Sequence, residues 1–146
     1  MVVRKLRNSK GASAVEFTFV VLIFLIFVFG IIDFGWFFFV KHTIKLANHE
    51  GAVVGTVSGN DDRVRQVIRD YASIAVDPND LSITVSTYST NSTDTADIRE
   101  VTTQHTHNFF FPMIAAFFPD GADGNTIVEA RHTYKLEPPS LYYSTE

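Results

Sequence analysis

Lys10-Gly11-Ala12-Ser13-Ala14-Val15-Glu16-Phe17 opens the longest apolar run in the chain and governs how the rest is read. From Phe17 to Ile32 only Thr18 and Gly30 interrupt Val, Leu, Ile and Phe. Asp33 breaks the run, and Phe34 to Val40 resumes it around Gly35 and Trp36. Helical rise gives about 24 Å for the first block and about 36 Å to Val40, on either side of the ~30 Å hydrocarbon core of a bilayer. The run is apolar all round, so a helix built from it must lie in lipid or inside an assembly. It predicts a membrane-spanning helix. Arg4, Lys5, Arg7 and Lys10 precede it with no acid before Glu16. Such a flank stays in the cytoplasm by the positive-inside rule, which places the remainder of the chain outside. A removable secretory signal fits less well, because the block exceeds the usual apolar length of about 7–15 residues and no small-residue cleavage site follows it.

The order of basic leader, Gly11, four small or apolar residues, Glu16-Phe17 and apolar helix resembles a class III signal, cut by a prepilin peptidase after the glycine. Three blocks narrow the resemblance: Ala14-Val15-Glu16-Phe17, Gly30-Ile31-Ile32-Asp33-Phe34-Gly35, and Ala47-Asn48-His49-Glu50-Gly51-Ala52. In this order and spacing they are similar to the TadE-like family of minor pilins or pseudopilins of tight-adherence (Flp-type) pili. The chain departs from the family's usual pattern at Trp36, where arginine is common, and at Asn48-His49. The resemblance implies processing between Gly11 and Ala12, with the helix retained. It gives Glu16 and Phe17 a role in assembly and helix register. It implies as partners other pilin and minor pilin subunits, met through the N-terminal helix, the prepilin peptidase, and the inner-membrane assembly platform. The expected location is the inner membrane, single-pass with the C-terminal domain outside, and the pilus or its tip after assembly.

A chain of 146 residues supports one small domain beside such a helix. The expected organisation is a cytoplasmic leader over 1–11, disordered and cleaved, a transmembrane and spine helix over 12–58, and an α+β extracytoplasmic domain over 59–146. Nine of the fourteen Phe fall between Phe17 and Phe39, so the aromatic content mostly belongs to the helix. The formal charge is −4, and loss of the leader's four cations would leave −8. An acidic exterior argues against nucleic acid as a partner. The absence of cysteine rules out disulfides and thiolate chemistry.

After the membrane run, Val40, Ile44, Ala47 and Val54 share a face, which predicts that the helix continues as a spine. Ala47, Gly51, Ala52 and Gly55 would let a second helix or a sheet approach it closely. Asn60 or Asp61 caps a second helix from Asp62 to about Ala75, with Val64, Val67, Ile68, Tyr71, Ile74 and Ala75 inward. Alternation predicts strands over Leu81–Tyr88, Ile98–His107 and Thr126–Tyr134, separated by a polar loop over Ser89–Asp97 and by turns. Pro138-Pro139 ends regular structure ahead of a tail. The predicted fold is α+β: a long helix packed with a second helix and a small antiparallel sheet.

Glu16 is the strongest functional candidate. After cleavage the Ala12 α-amine of one subunit would pair with Glu16 of its neighbour, penalising wrong register more than adding stability. The plainer alternative is a carboxylate resting among lipid headgroups near a helix N-terminus. Asp33 lies about 25 Å further along, and the preferred reading makes it a hydrated acid near the outer headgroups, with Trp36 an interfacial aromatic. Gly30 and Gly35 do not form a GxxxG pair. His105 and His107 share a strand face, and with His132 they invite a metal reading, but no carboxylate or Cys completes a ligand set, so surface histidines are expected. Turn chemistry explains the acidic turns at 60–62, 77–80 and 120–125 without calcium. Phe109-Phe110-Phe111 and Phe117-Phe118 are expected mostly in the core, with one or two at a contact. No nucleophile motif, cofactor or metal site marks an enzyme.

The sequence therefore predicts a minor pilin or pseudopilin acting in pilus assembly, initiation or at the tip. The alternative is an uncleaved single-pass anchor displaying an extracytoplasmic binding or adhesion domain.

Overall fold

A computed structural model describes residues 9–88, 98–118 and 121–136. Most of the leader, the polar loop over 89–97, Pro119-Asp120 and the tail lie outside the described residues. The chain begins with one uninterrupted helix, α1 (Ser9–Ser58), of 50 residues. It starts inside the leader, so Ser9, Lys10 and Gly11 are helical, against the disordered leader expected up to Gly11. At 1.5 Å per residue α1 is about 75 Å long.

The two halves of α1 differ in environment. Residues from Gly11 to Ile32 are almost all exposed, and this is the one described helix long and apolar enough to cross a membrane. From Asp33 onward an inward stripe runs through Phe37, Val40, Ile44, Ala47, Asn48, Gly51, Ala52 and Gly55. The spine half is therefore the core element of the folded head. Val54, expected on that face, is only half-buried.

Helix α2 (Asp61–Ala72) follows a turn at Gly59, whose φ of 61° lies in the left-handed region that glycine enters without steric cost. Asn60 caps α2, its side-chain oxygen accepting from the Asp62 and Arg63 N–H groups at 2.9 and 3.2 Å. Val64, Ile68 and Ala72 are buried along its length. The helix ends three residues earlier than the sequence predicts, and Tyr71 and Ile74 are exposed rather than inward. Gly51 explains the close approach to α1: a Cβ there would meet the Ile68 side chain at 2.5 Å.

The sheet is an antiparallel meander in the order β1 (Ser82–Tyr88), β2 (Ile98–Asn108), β3 (Asn125–Lys135). All three strands lie within a residue of the predicted bounds. Register places Val101 opposite Val85 and His132, and Thr103 opposite Ile83 and Ala130. Period-two alternation thus puts one face, carrying Ile83, Val85, Val101, Thr103, Val128, Ala130 and Tyr134, on the core with α1. Between β2 and β3 stands a short helix, α3 (Pro112–Ala115), followed by a 3₁₀ turn at Gly121–Asp123. The α+β class is as the sequence predicts.

Candidate functional site: the bare half of the helix and its junction with the head

Gly11, Ala12, Glu16 and Phe17 all sit on the exposed N-terminal half of α1. Above them every face of the helix as far as Ile32 presents Val, Leu, Ile and Phe outward. Thr18 Oγ1 donates locally, to the Ala14 carbonyl at 2.8 Å. A threonine bonded in this way hides its hydroxyl, which keeps the surface compatible with lipid or with neighbouring helices.

The junction begins at Asp33, and here the structure corrects the sequence reading. Asp33 is 1% exposed, not hydrated. Its two carboxylate oxygens accept from the backbone N–H groups of Phe110 and Phe111 at 3.3 and 3.0 Å. These donors come from the loop entering α3, which has no side-chain cap of its own. A carboxylate with two backbone donors and almost no water is a latch between the helix and a loop 77 residues away. Around it Phe34 and Phe37 meet Phe118, with ring centroids 6.3 and 4.8 Å apart, and Phe37 meets Phe109 at 5.4 Å. Phe29, one turn further toward the N-terminus, meets Phe111 at 5.6 Å. Trp36 is partly exposed and stands against Phe39.

The five later phenylalanines divide differently from expectation. Phe109 and Phe118 enter the core, but Phe110 is 77% exposed, Phe117 is 80% exposed, and Phe111 is exposed as well. The loop spends its backbone on Asp33 and turns these rings outward.

The histidines do not gather. His107 is buried, edge-on to Phe37 and Phe109 at 5.4 and 4.9 Å. Neither its Nε2 nor the His105 Nδ1 has a hydrogen-bonding partner. Burial, and then the neighbouring His105, lower the His107 pKa below its ordinary value, opposed by the Asp33 carboxylate. His132 pairs across the sheet with Val101, four residues from His105, about 13 Å along the strand. It meets His49 of α1 instead, ring to ring at 5.0 Å. Among the described residues no three metal-ligating side chains come together. The expectation of surface histidines fails at His107, which is buried, and His105 and His132 are half-buried.

Asn48, in the third sequence block, has no role assigned from the sequence, whereas Gly55, just past it, is expected to let a neighbouring element approach closely. Asn48 is 1% exposed, donating to the Val101 carbonyl at 3.2 Å and accepting from Thr103 Oγ1 at 3.0 Å, and so fixes α1 against β2. Gly55 lies against Tyr134, whose ring a Cβ would meet at 2.6 Å. Burial raises the Tyr134 phenol above its ordinary pKa, partly opposed by the Arg99 guanidinium. Arg99 closes the far end of the head by donating to Asp61 and to the Gly59 carbonyl. The signal for Asn48 was available as a polar residue within the spine stripe. That for Asp33 was not, since its donors are backbone groups remote in sequence.

No curated protein and no solved structure matches the chain. The family model described as TadE-like protein matches residues 11–53, from the glycine at the leader's end through the bare helix and the Asp33 latch into the spine. Over that segment the chain is similar to TadE-like proteins, a family associated with Tad pili and marked by an N-terminal hydrophobic helix.

Proposed function

We propose that the protein is a minor pilin or pseudopilin of a tight-adherence pilus, processed between Gly11 and Ala12 and assembled with other subunits through the first half of α1. The observation that carries this reading is the bare half-helix. The residues from Gly11 to Ile32 are almost all exposed and mostly apolar, with one carboxylate, Glu16, near their start, and the head touches them at Phe29. In the membrane this surface faces lipid; in a filament it would face the same surface of neighbouring subunits. Glu16 then meets the Ala12 α-amine released by cleavage on an adjacent copy, a pair that selects register. The TadE-like match across the same residues supports the reading.

The test is the intact mass and N-terminal residue of the protein from its native membrane, together with a Glu16→Ala variant. An N-terminus at Ala12, with Glu16→Ala inserted and cleaved yet absent from purified filaments, is the expected result. Retention of Met1 in cells whose prepilin peptidase is active would overturn the processing step and favour an uncleaved anchor carrying a binding domain. Normal incorporation of Glu16→Ala would remove the register role.

A further inference from the structure

We infer that the loop from Phe109 to Phe118 is a second membrane contact, its exposed phenylalanines seated in the outer interface of the bilayer that α1 crosses. The inference rests on the membrane-spanning reading of α1 and adds a surface to it. If the hydrocarbon core begins at Phe17, just past Glu16, about 30 Å of it extends some twenty helical residues, to the neighbourhood of Trp36. Asp33 then lies about 5 Å inside the outer edge, and tilt of the helix only deepens it. A carboxylate at that depth is costly unless it is given donors. The Phe110 and Phe111 N–H groups supply them. Those N–H groups would themselves be costly if unpaired at the same depth, so each side of the bond removes the other's penalty.

The loop is at this height by direct contact. Phe111 meets Phe29, within the span, and Phe118 meets Phe34. No charged residue occurs between Phe109 and Phe118. Phe110 and Phe117 are the most exposed rings of the loop. Phe110 lines one surface cleft with Phe29, Ile32 and Phe111, beside the exposed apolar side chains of α1. Tryptophan and tyrosine concentrate at such interfaces, and Trp36 stands three helical residues, about 5 Å, beyond Asp33. Phenylalanine is an apolar side chain of interfacial segments. Continuity with the lipid-facing helix, the lack of charge and the depth of Asp33 together select lipid as the occupant over a second protein.

The experiment uses the full chain in phosphatidylcholine vesicles with Trp36, the sole tryptophan, changed to Phe. A single reporter is introduced by Phe110→Trp or Phe117→Trp, substitutions at exposed rings that leave the core untouched. Phe24→Trp serves as the bilayer reference and Val57→Trp, at the other end of the head, as the aqueous one. The expected result is blue-shifted emission from the loop reporters, with quenching by lipids brominated near the headgroup and protection from iodide. Loop reporters quenched by iodide like Val57→Trp, with Phe24→Trp still quenched by bromolipid, would overturn the inference and leave the anchor standing. Loss of bromolipid quenching at Phe24→Trp would overturn the anchor and the inference together. Protection of the loop from both quenchers would mean that another copy of the chain covers it, and would also overturn the lipid contact.

Discussion

A carboxyl group at the end of an apolar run needs either water or hydrogen-bond donors, and Asp33 has the second. Asp33→Ala strands two backbone N–H groups, at about 1–3 kcal/mol for each one that water does not reach. The loop entering α3 should loosen before the rest of the head, seen as faster hydrogen exchange at the Phe110 and Phe111 amides with β2 and β3 still protected. Asp33→Asn keeps an acceptor for only one of them and should fall between. His107 is a second buried polar group, faced by Phe37, Phe109, His105 and Asp33. Its folded pKa lies below the 6.5 of the unfolded chain, so the unfolded state binds the proton first. Its contribution to stability is therefore complete above 6.5 and is lost as the pH falls below that value toward the folded pKa. Urea unfolding of the full chain in detergent should show falling stability from about pH 7.5 to about pH 5.5, and His107→Gln should flatten that slope.

At the scale of elements, α1 is a lipid-compatible rod over one half and a core helix over the other. The inward stripe at Asp33, Phe37, Val40, Ile44, Ala47 and Gly51 repeats at alternating steps of four and three, the spacing of a helix with one buried seam. Only its later part was legible. Before Val40 the helix is apolar on every side, so no polar face marks where the seam begins. The small residues at the other end were legible because a long run of bulky side chains gives way to Ala47, Gly51, Ala52 and Gly55. Gly55→Ala should destabilise the head: displacing the buried Tyr134 ring costs about 1–3 kcal/mol against a helix gain of about 1. Gly35→Ala meets nothing within 4 Å and keeps only the gain. Chemical unfolding followed by circular dichroism in detergent should move the two variants in opposite directions.

For the whole molecule, the strands and the α+β class were legible because alternation and capping are local signals, and the Asn60 cap and the sheet bounds followed from them. The junction was not. Composition alone could not assign Phe109 and Phe118 to the core and Phe110 and Phe117 to the surface, because that choice follows from a hydrogen bond formed 77 residues away. The same bond limits how the head can explore its surroundings. A receptor domain that must find a distant target usually hangs on a leash, and its capture radius grows with the leash. Here Ile32 is the last residue of the unbroken apolar block and Asp33 is already part of the fold, so the leash has zero length. The head cannot sweep a volume or turn relative to its anchor. A copy anchored by α1 would hold its head at one fixed height above the apolar block.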